Sequence, residues 1–143
     1  MRSENIKILS IITIMILIII SGIVLSEQAL ALDFSIKNTA PCLKYIFGTD
    51  TYGRDIFART LSGLSKSLIL GILASCLSGI LALIIGIIAG TAPKFIDEMI
   101  NFVIDAIMSI PHLILLILIS FCLGKGLFGV VTGTILTHWT SLA

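Results

Sequence analysis

The chain has 143 residues, of which 57% are hydrophobic and only 12% are charged. A soluble domain carries about 25% charged residues, so this composition provides too little polar surface for a soluble globular fold. The formal net charge of +1 offers no basic field for binding nucleic acid. The composition therefore excludes a soluble enzyme and a nucleic-acid-binding domain, and it predicts an integral membrane protein.

The first predicted element is an apolar run from Ile8 to Leu25, preceded by the basic residues Arg2 and Lys7. About 20 apolar residues cross the hydrocarbon core at about 1.5 Å per residue, so residues 1–25 are a predicted membrane anchor. A cleaved signal peptide is the alternative, because Ala-Leu-Ala at 29–31 matches the small-residue pattern before a cleavage site. The run is longer than the usual signal core of about 7–15 residues, which favours a retained anchor.

Residues 26–66 form the one long polar segment. Gly48 and Gly53 are predicted turn positions, since glycine adopts positive φ without strain. Asp55 is a predicted helix cap, and apolar residues recur beyond it at i, i+4 and i+7. This spacing predicts a short amphipathic helix at the membrane surface, in which Asp55 and Arg59 are placed to pair.

The second predicted span runs from residue 68 to residue 90 and carries small residues at intervals of four. Helices in lipid associate where small residues let their backbones approach closely. The pattern favours packing against other helices over chance, although glycine is common in membrane helices in any case. The predicted packing residues are Gly71, Ser75, Ser78, Gly79, Ala82, Gly86 and Gly90.

The next predicted helix runs to about Leu123 and contains Pro111. Proline supplies no N–H and its ring clashes with the carbonyl four residues earlier, so a kink is predicted near residues 107–111. Polar side chains fall on one face at steps of four, four and three. Either this face lines or braces a polar path, or its aspartate lies near the membrane interface and pairs with a basic residue there. The residues are Asn101, Asp105, Ser109 and His112.

A turn at 124–126 precedes the fourth predicted span, residues 127–143. Trp139 suits an interfacial aromatic belt. His138 is either a ligand or an interfacial polar group, and a lone histidine more often has the second role. His112 and His138 lie in separate segments and form no metal motif, and the three cysteines lack metal or redox spacing. Since catalytic and phosphate-binding motifs are also absent from the sequence, we predict no enzyme activity, no cofactor and no metal site.

Together these runs predict an all-α fold, namely a polytopic transmembrane helix bundle with about four membrane spans plus the short amphipathic surface helix. The expected organisation is an N-terminal membrane anchor at 1–25 and a polar segment at 26–66 that holds the predicted turns and the amphipathic helix. Residues 67–143 are the expected membrane domain.

The run from Phe47 to Arg59 resembles a signature of one transporter family, Gly-Thr-Asp-x-x-Gly-Arg-Asp-x-x-x-Arg. The family is the C-type inner-membrane permease subunit of ABC importers for dipeptides, oligopeptides and nickel. The resemblance continues in order through Asp105 and Pro111, the turn at 124–127, and Thr-His-Trp at 137–139. The residues that match the signature are Gly48, Thr49, Asp50, Gly53, Arg54, Asp55 and Arg59.

The resemblance implies a multi-pass permease component of the plasma membrane that forms part of a translocation path for peptides or nickel. It also implies the lipid bilayer, a second permease subunit, ATP-binding cassette subunits and an external substrate-binding protein as partners. The family's coupling loop is expected after Ala143, so the resemblance covers an N-terminal portion, and this chain alone is not expected to couple ATP hydrolysis to transport.

The resemblance implies a topology with the N-terminus in the cytoplasm and the loop of residues 26–66 outside. Charge counting does not support this orientation, because the proposed outer segments carry six basic residues and the inner ones three. The alternative function is a self-contained small structural or accessory membrane protein with no transport path of its own, which the small-residue packing fits equally well. Reading the DNA beyond codon 143 for a coupling loop, and the neighbouring genes for ATPases and a binding protein, would discriminate the two.

Overall fold

The computed structural model describes residues 2–124 and 126–143, so that Met1 and Lys125, the centre of the predicted turn, lie outside the described residues. The described residues are helical over most of their length and include no β-strand, which confirms the all-α class. The main helices are α1 (Arg2–Val24), α2 (Ser26–Leu30), α3 (Ile56–Thr91), α4 (Lys94–Met108), α5 (His112–Cys122) and α6 (Leu127–His138). Single 3-10 turns cover Phe34–Ile36 and Trp139–Ser141.

Two of the described helices, α1 over Glu4–Val24 and α3, are long and apolar enough to cross a membrane. The pair α4 and α5 makes a third span if it is counted as one element bent by 92°. This bend confirms the predicted kink, and it follows from Pro111, which cannot donate within a helix. Helix α6 has 12 residues and is therefore about 18 Å long, which is short of the roughly 30 Å hydrocarbon core.

The predicted short surface helix is not separate from the second span. Both belong to α3, whose 36 residues extend about 54 Å. The junction at residues 64–68 contains neither proline nor glycine, and no proline occurs between Asp55, which caps the helix, and Thr91. One continuous helix is the consequence.

The chain divides into two compact units, one ending at Ile69 and the other beginning at Leu70. In the first unit, α1 contacts the start of α3 through small residues. A Cβ atom added at Gly22 would lie 2.3 Å from Ser65 Cβ and 2.4 Å from Leu61 O. The Ser65 hydroxyl donates to Ile19 O at 3.1 Å. A glycine and a serine thus let the two helices approach closely, as is typical of helix packing in lipid.

In the second unit, α5 and α6 pack through another pair of small residues. The Ser120 hydroxyl donates to Gly129 O at 3.2 Å. A Cβ atom at Gly129 would lie 2.8 Å from Ser120 O, and one at Gly133 would lie 3.1 Å from Ser120 Oγ. The sequence carries this Gly-x-x-x-Gly spacing at 129–133, but the predicted packing residues did not include it. The close contact fixes α6 beside α5.

The small residues predicted on α3 differ in exposure. Ser78 and Ala82 are buried, as is Ala74 one turn earlier, whereas Gly79 and Gly86 are half-buried. The exposed members are Gly71, Ser75 and Gly90.

The Trp139 side chain is buried within the second unit, and its place in an interfacial belt stays a prediction. It lines an apolar cavity of about 440 Å³ together with residues of α3 and α4. The 3-10 turn after α6 places the Trp139 side chain at this cavity.

We expect Gly22→Ala to lower the stability of the first unit, because the added methyl group must displace backbone and overpacking costs about 1–3 kcal/mol. Thermal unfolding in detergent measures the effect. Gly63→Ala is the matched control in α3, since no described atom would lie within 4 Å of its Cβ, and alanine favours a helix by about 0.5–1 kcal/mol. Equal midpoints for the two variants would contradict the close contact.

Candidate functional site

The signature segment, residues 47–59, folds against the loop that precedes it. Thr49 is buried and its side chain accepts from Thr39 N at 2.9 Å and donates to Ile36 O. The Thr49 backbone N–H donates to Thr39 O at 3.1 Å. These bonds satisfy backbone groups that no helix or sheet would satisfy here, so the loop is held in one conformation.

Gly48 and Gly53 have φ values of +73° and +72°, which confirms the two predicted turns. Both glycines also lie against backbone. A Cβ atom at Gly48 would lie 2.5 Å from Thr39 O, and one at Gly53 would lie 1.7 Å from Asp33 O. The fold therefore requires glycine at each position for two reasons, namely backbone conformation and space.

Asp50 is the centre of the segment. Its Oδ1 accepts from the backbone N–H groups of Tyr52 at 2.8 Å and Arg54 at 3.0 Å. Its Oδ2 accepts from Arg54 Nε and Nη2, both at 2.8 Å, and from the guanidinium of Arg59. Only 18% of the Asp50 side chain is exposed. One carboxylate thus joins a turn, an arginine beside it and an arginine in the first turns of α3.

These contacts set the charge state of Asp50. Desolvation by itself raises the pKa of the carboxyl group. The hydrogen bonds from the backbone of Arg54 and Tyr52, then that from the Arg54 side chain, outweigh this effect and lower the pKa from 3.8 to about 2. The carboxylate is therefore ionised throughout the physiological range.

Asp55 caps α3, as predicted. Its Oδ1 accepts from Phe57 N at 2.9 Å and from Ala58 N at 3.4 Å, which satisfies free N–H groups at the start of the helix. The predicted side-chain pair between Asp55 and Arg59 is wrong. The Asp55 carboxylate faces the helix amides, while the Arg59 guanidinium extends to Asp50.

Beside this network lies a cavity of about 390 Å³ that contains charges of both signs. The carboxylates of Asp33 and Asp55 and the ammonium group of Lys44 line it, together with Gln28 and Tyr45. The cavity is therefore a polar recess in the loop between α1 and α3.

The four polar residues predicted on one helix face do not share a face, because α4 ends at Met108 and the 92° bend follows. Asn101 and Asp105 lie on α4 and are exposed, and the Asn101 amide donates to Asp97 Oδ1 at 2.8 Å. Ser109 lies in the break, and His112 lies on α5.

The structure instead brings His112 to His138, which the sequence placed in separate segments. Their ring centroids are 4.7 Å apart and the rings are nearly perpendicular, at 83°. Both side chains are exposed and line a cavity of about 420 Å³. Within the described part of the chain, no group of three or more His, Cys, Asp or Glu side chains is arranged to hold a metal ion.

No family model matches the chain. Curated proteins do match, and they are peptide permeases. A dipeptide transport system permease protein of Lactococcus lactis subsp. cremoris is 34% identical over 100 residues, which cover 70% of this chain and 29% of the relative. An oligopeptide transport system permease protein of Bacillus subtilis is 30% identical over 147 residues, which cover 99% and 48%. A putative peptide permease protein of Brucella abortus biovar 1 is 32% identical over 112 residues, which cover 78% and 37%.

The chain spans half or less of the length of these relatives. The names of these three relatives refer to peptides, dipeptides or oligopeptides, and none refers to nickel. The similarity therefore confirms the resemblance that the signature residues carried, for the peptide branch of the family.

We expect Asp50→Asn to loosen the signature segment, because the neutral amide offers one acceptor oxygen in place of two charged ones. Hydrogen exchange of the Tyr52 and Arg54 amides in detergent should accelerate at least about tenfold, the effect of losing one hydrogen bond to a charged group. Asp97→Asn, outside the segment, is the control and should leave both amides unchanged. Unchanged exchange in Asp50→Asn would contradict the central role of this carboxylate.

Protonation of Asp50 in acid should loosen the signature segment, as the Asp50→Asn substitution does. Because its folded pKa lies below its ordinary value, the stability it contributes is complete above pH 3.8 and is lost as the pH falls toward about 2. Pepsin cleavage within the signature segment should therefore rise in this window for the natural chain. In the Asp50→Asn variant, pepsin should cleave the segment readily both at pH 3.8 and at about pH 2.

Proposed function

Because the chain is related to the C-type permease subunits of peptide ABC importers, we propose that it forms the N-terminal part of such a subunit and contributes to a peptide translocation path. The observation that carries the proposal is the signature segment. The Asp50 carboxylate and the Arg54 guanidinium hold this loop, which leads directly into α3, a helix long enough to cross a membrane. The relatives that bear peptide-permease names match this chain over 70% to 99% of its length.

The proposed arrangement of the chain in the membrane follows from the position of its non-helical backbone. Outside a helix or a closed barrel, backbone polar groups are not tolerated against lipid. The irregular stretch between α2 and α3 therefore belongs in water, with the anchor of residues 1–25 on one side and the membrane domain of residues 67–143 on the other. The segment at 26–66 would face the external substrate-binding protein, and the polar recess beside Asp55 would form part of the entrance.

Helix α4 is the proposed lining of the path. Its polar side chains follow one face, and Asn101 and Asp105 on that face are exposed. An aspartate in a membrane domain normally faces a bundle interior or water, since burying it in lipid costs at least about 2.5–3.5 kcal/mol. We propose that this face lines the path or braces it. Ser109 in the break and His112 at the start of α5 are proposed to line or brace the same path, although they do not share the face of α4.

The small residues of α3 that have open space beside them are proposed contacts for neighbouring helices. Within the described residues, no atom lies within 4 Å of a Cβ added at Gly71, Gly79 or Gly90. Close approach of another helix is therefore open at these positions, and a second permease subunit is the partner that the family offers. ATP-binding cassette subunits would supply the energy.

Nickel is a second candidate substrate. The observation that favours it is the contact between His112 and His138, since imidazole nitrogen is a preferred ligand of Ni²⁺.

Orientation can be tested at Cys42, which is exposed in the irregular stretch. In whole cells, a membrane-impermeant maleimide should label Cys42 if the N-terminus is cytoplasmic. Cys42→Ser is the control, because it leaves only Cys76 in α3 and Cys122 in α5. Labelling only after the cells are opened would reverse the topology, in the direction that the basic residues favour.

Transport can be tested by placing residues 1–143 into the Bacillus subtilis oligopeptide permease in place of the matching N-terminal part. We expect peptide uptake above that of cells without the subunit. Asp55→Ala should reduce both subunit level and uptake, since loss of a helix cap costs about 1 kcal/mol. Asp55→Asn should retain both, because asparagine caps equally well.

Two results would overturn these assignments. A chimera that inserts normally but transports no peptide would contradict the path, and it would favour the accessory membrane protein. An Asp55→Ala chimera with unchanged level and uptake would refute the role of Asp55.

A further inference from the structure

The feature from which we argue is a lysine of α3 that lies beside the apolar run of α1. The Ser65 hydroxyl donates to Ile19 O at 3.1 Å, and a Cβ atom added at Gly22 would lie 2.3 Å from Ser65 Cβ. Lys66 directly follows Ser65 and is therefore level with Ile19. The apolar run of α1 continues from Ile19 to Leu25, which is about 9 Å at about 1.5 Å per residue. The packing of the two helices thus places a charged residue within the apolar length of the anchor.

Lys66 has no carboxylate partner within the part of the chain that the structure describes. The ion pairs formed there use other basic residues, and Lys66 belongs to none of them. Its side chain is exposed, whereas that of Ser65 beside it is buried against α1. A cation at this level of a membrane is costly unless it reaches a polar partner. The ammonium group therefore requires an anion from outside the described chain.

Helix geometry directs Lys66 toward the membrane surface on the side of the polar loop. Side chains of an α-helix lean toward its N-terminus, and α3 begins at Ile56, directly after that loop. Gly63 precedes Lys66 by about one turn and is exposed, and no described atom would lie within 4 Å of a Cβ atom added to it. The lysine stem can lie over this open surface while its ammonium group reaches the level of the lipid headgroups.

We propose that Lys66 and the open surface at Gly63 bind the phosphate group of a phospholipid. Arg59 lies two turns before Lys66 on the same face of α3, and 43% of its side chain is exposed. The exposed hydroxyl groups of Thr60 and Ser67 border this face. Charged and hydroxyl donors on one surface suit the oxygen atoms of a phosphate group, and basic sites on membrane helices bind lipid headgroups.

Charge balance favours a lipid whose headgroup has a net negative charge. The carboxylates of Asp50 and Asp55 already bind two arginines and the amides at the start of α3. Residues 50–66 carry three basic and two acidic side chains, so Lys66 supplies the excess positive charge. A phosphatidylglycerol headgroup would neutralise this charge, whereas a phosphatidylcholine headgroup brings a cation of its own.

A membrane lipid is favoured over a soluble phosphate because the site continues into apolar surface. Leu64 is exposed close to Gly63, and the sequence of α3 is apolar from Leu68 onward. Acyl chains contact such a surface, whereas a soluble phosphate gains nothing from it. The inference does not depend on peptide transport, since binding is measured on the chain itself. A failed uptake experiment and a failed lipid-binding experiment are therefore separate results.

Native mass spectrometry of the full chain in detergent tests the site. The chain should bind phosphatidylglycerol at least about fivefold more tightly than phosphatidylcholine with the same acyl chains, the effect of one basic residue at a lipid surface. Lys66→Gln should remove this preference, and Lys66→Arg should retain it. Gly63→Leu should also weaken phosphatidylglycerol binding, because the new side chain fills the surface over which Lys66 extends. Lys44→Gln, the same charge change in the loop, is the matched control and should leave binding unchanged, while circular dichroism reports that every variant keeps its helices.

Four results would overturn the site. Equal binding of the two lipids would contradict the preference for an anionic headgroup. Unchanged phosphatidylglycerol binding in Lys66→Gln would leave this lysine for a carboxylate of a neighbouring protein, and unchanged binding in Gly63→Leu would contradict the surface at Gly63. Displacement of phosphatidylglycerol by an excess of glycerol 3-phosphate would assign the surface to a soluble phosphate instead of a lipid.

Discussion

The need to satisfy every backbone polar group away from water governs this chain. In hydrocarbon only a helix or a closed barrel meets that need, so the apolar runs fold as α1 and α3. The stretch between α2 and α3 is not regular, and it satisfies its polar groups by another route. Thr49 bonds to Thr39 and Ile36, and the Asp50 carboxylate takes the amides of a turn and two arginine side chains. The polar loop is thereby held by hydrogen bonds of its own.

Close approach of helices depends on small residues at few points. In the first unit Gly22 lies against Leu61 and Ser65, and in the second Gly129 and Gly133 lie against Ser120. Apolar side chains gain little by contacting one another instead of lipid, so these points carry much of the packing. The serines add hydrogen bonds to backbone carbonyls across the contact.

The break at Pro111 has a consequence beyond the loss of one helical hydrogen bond. It turns α5 by 92° from α4 and begins the new helix at His112. With α6 fixed to α5 by its glycines, the end of α6 brings His138 to the same cavity. A single proline and a pair of glycines thus decide which polar side chains meet.

Local chemistry was readable from the sequence. The apolar runs predicted α1 and α3, and Asp55 predicted the start of α3. Gly48 and Gly53 predicted two turns, and Pro111 predicted the kink. Each follows from a residue and its near neighbours along the chain, through hydropathy, capping, positive φ or a missing N–H. The signature residues also indicated the relation to the peptide permeases, because a motif is a linear order of residues and can be recognised without the fold.

Only the tertiary structure decided the contacts between residues that are distant in the sequence. Arg59 bonds to Asp50 and not to Asp55, whose Oδ1 accepts from helix amides. His112 meets His138 across 26 positions because two helices pack at small residues and one of them begins at a bend. Spacing along the sequence does not contain such pairings, because they depend on which surfaces pack and at what angle.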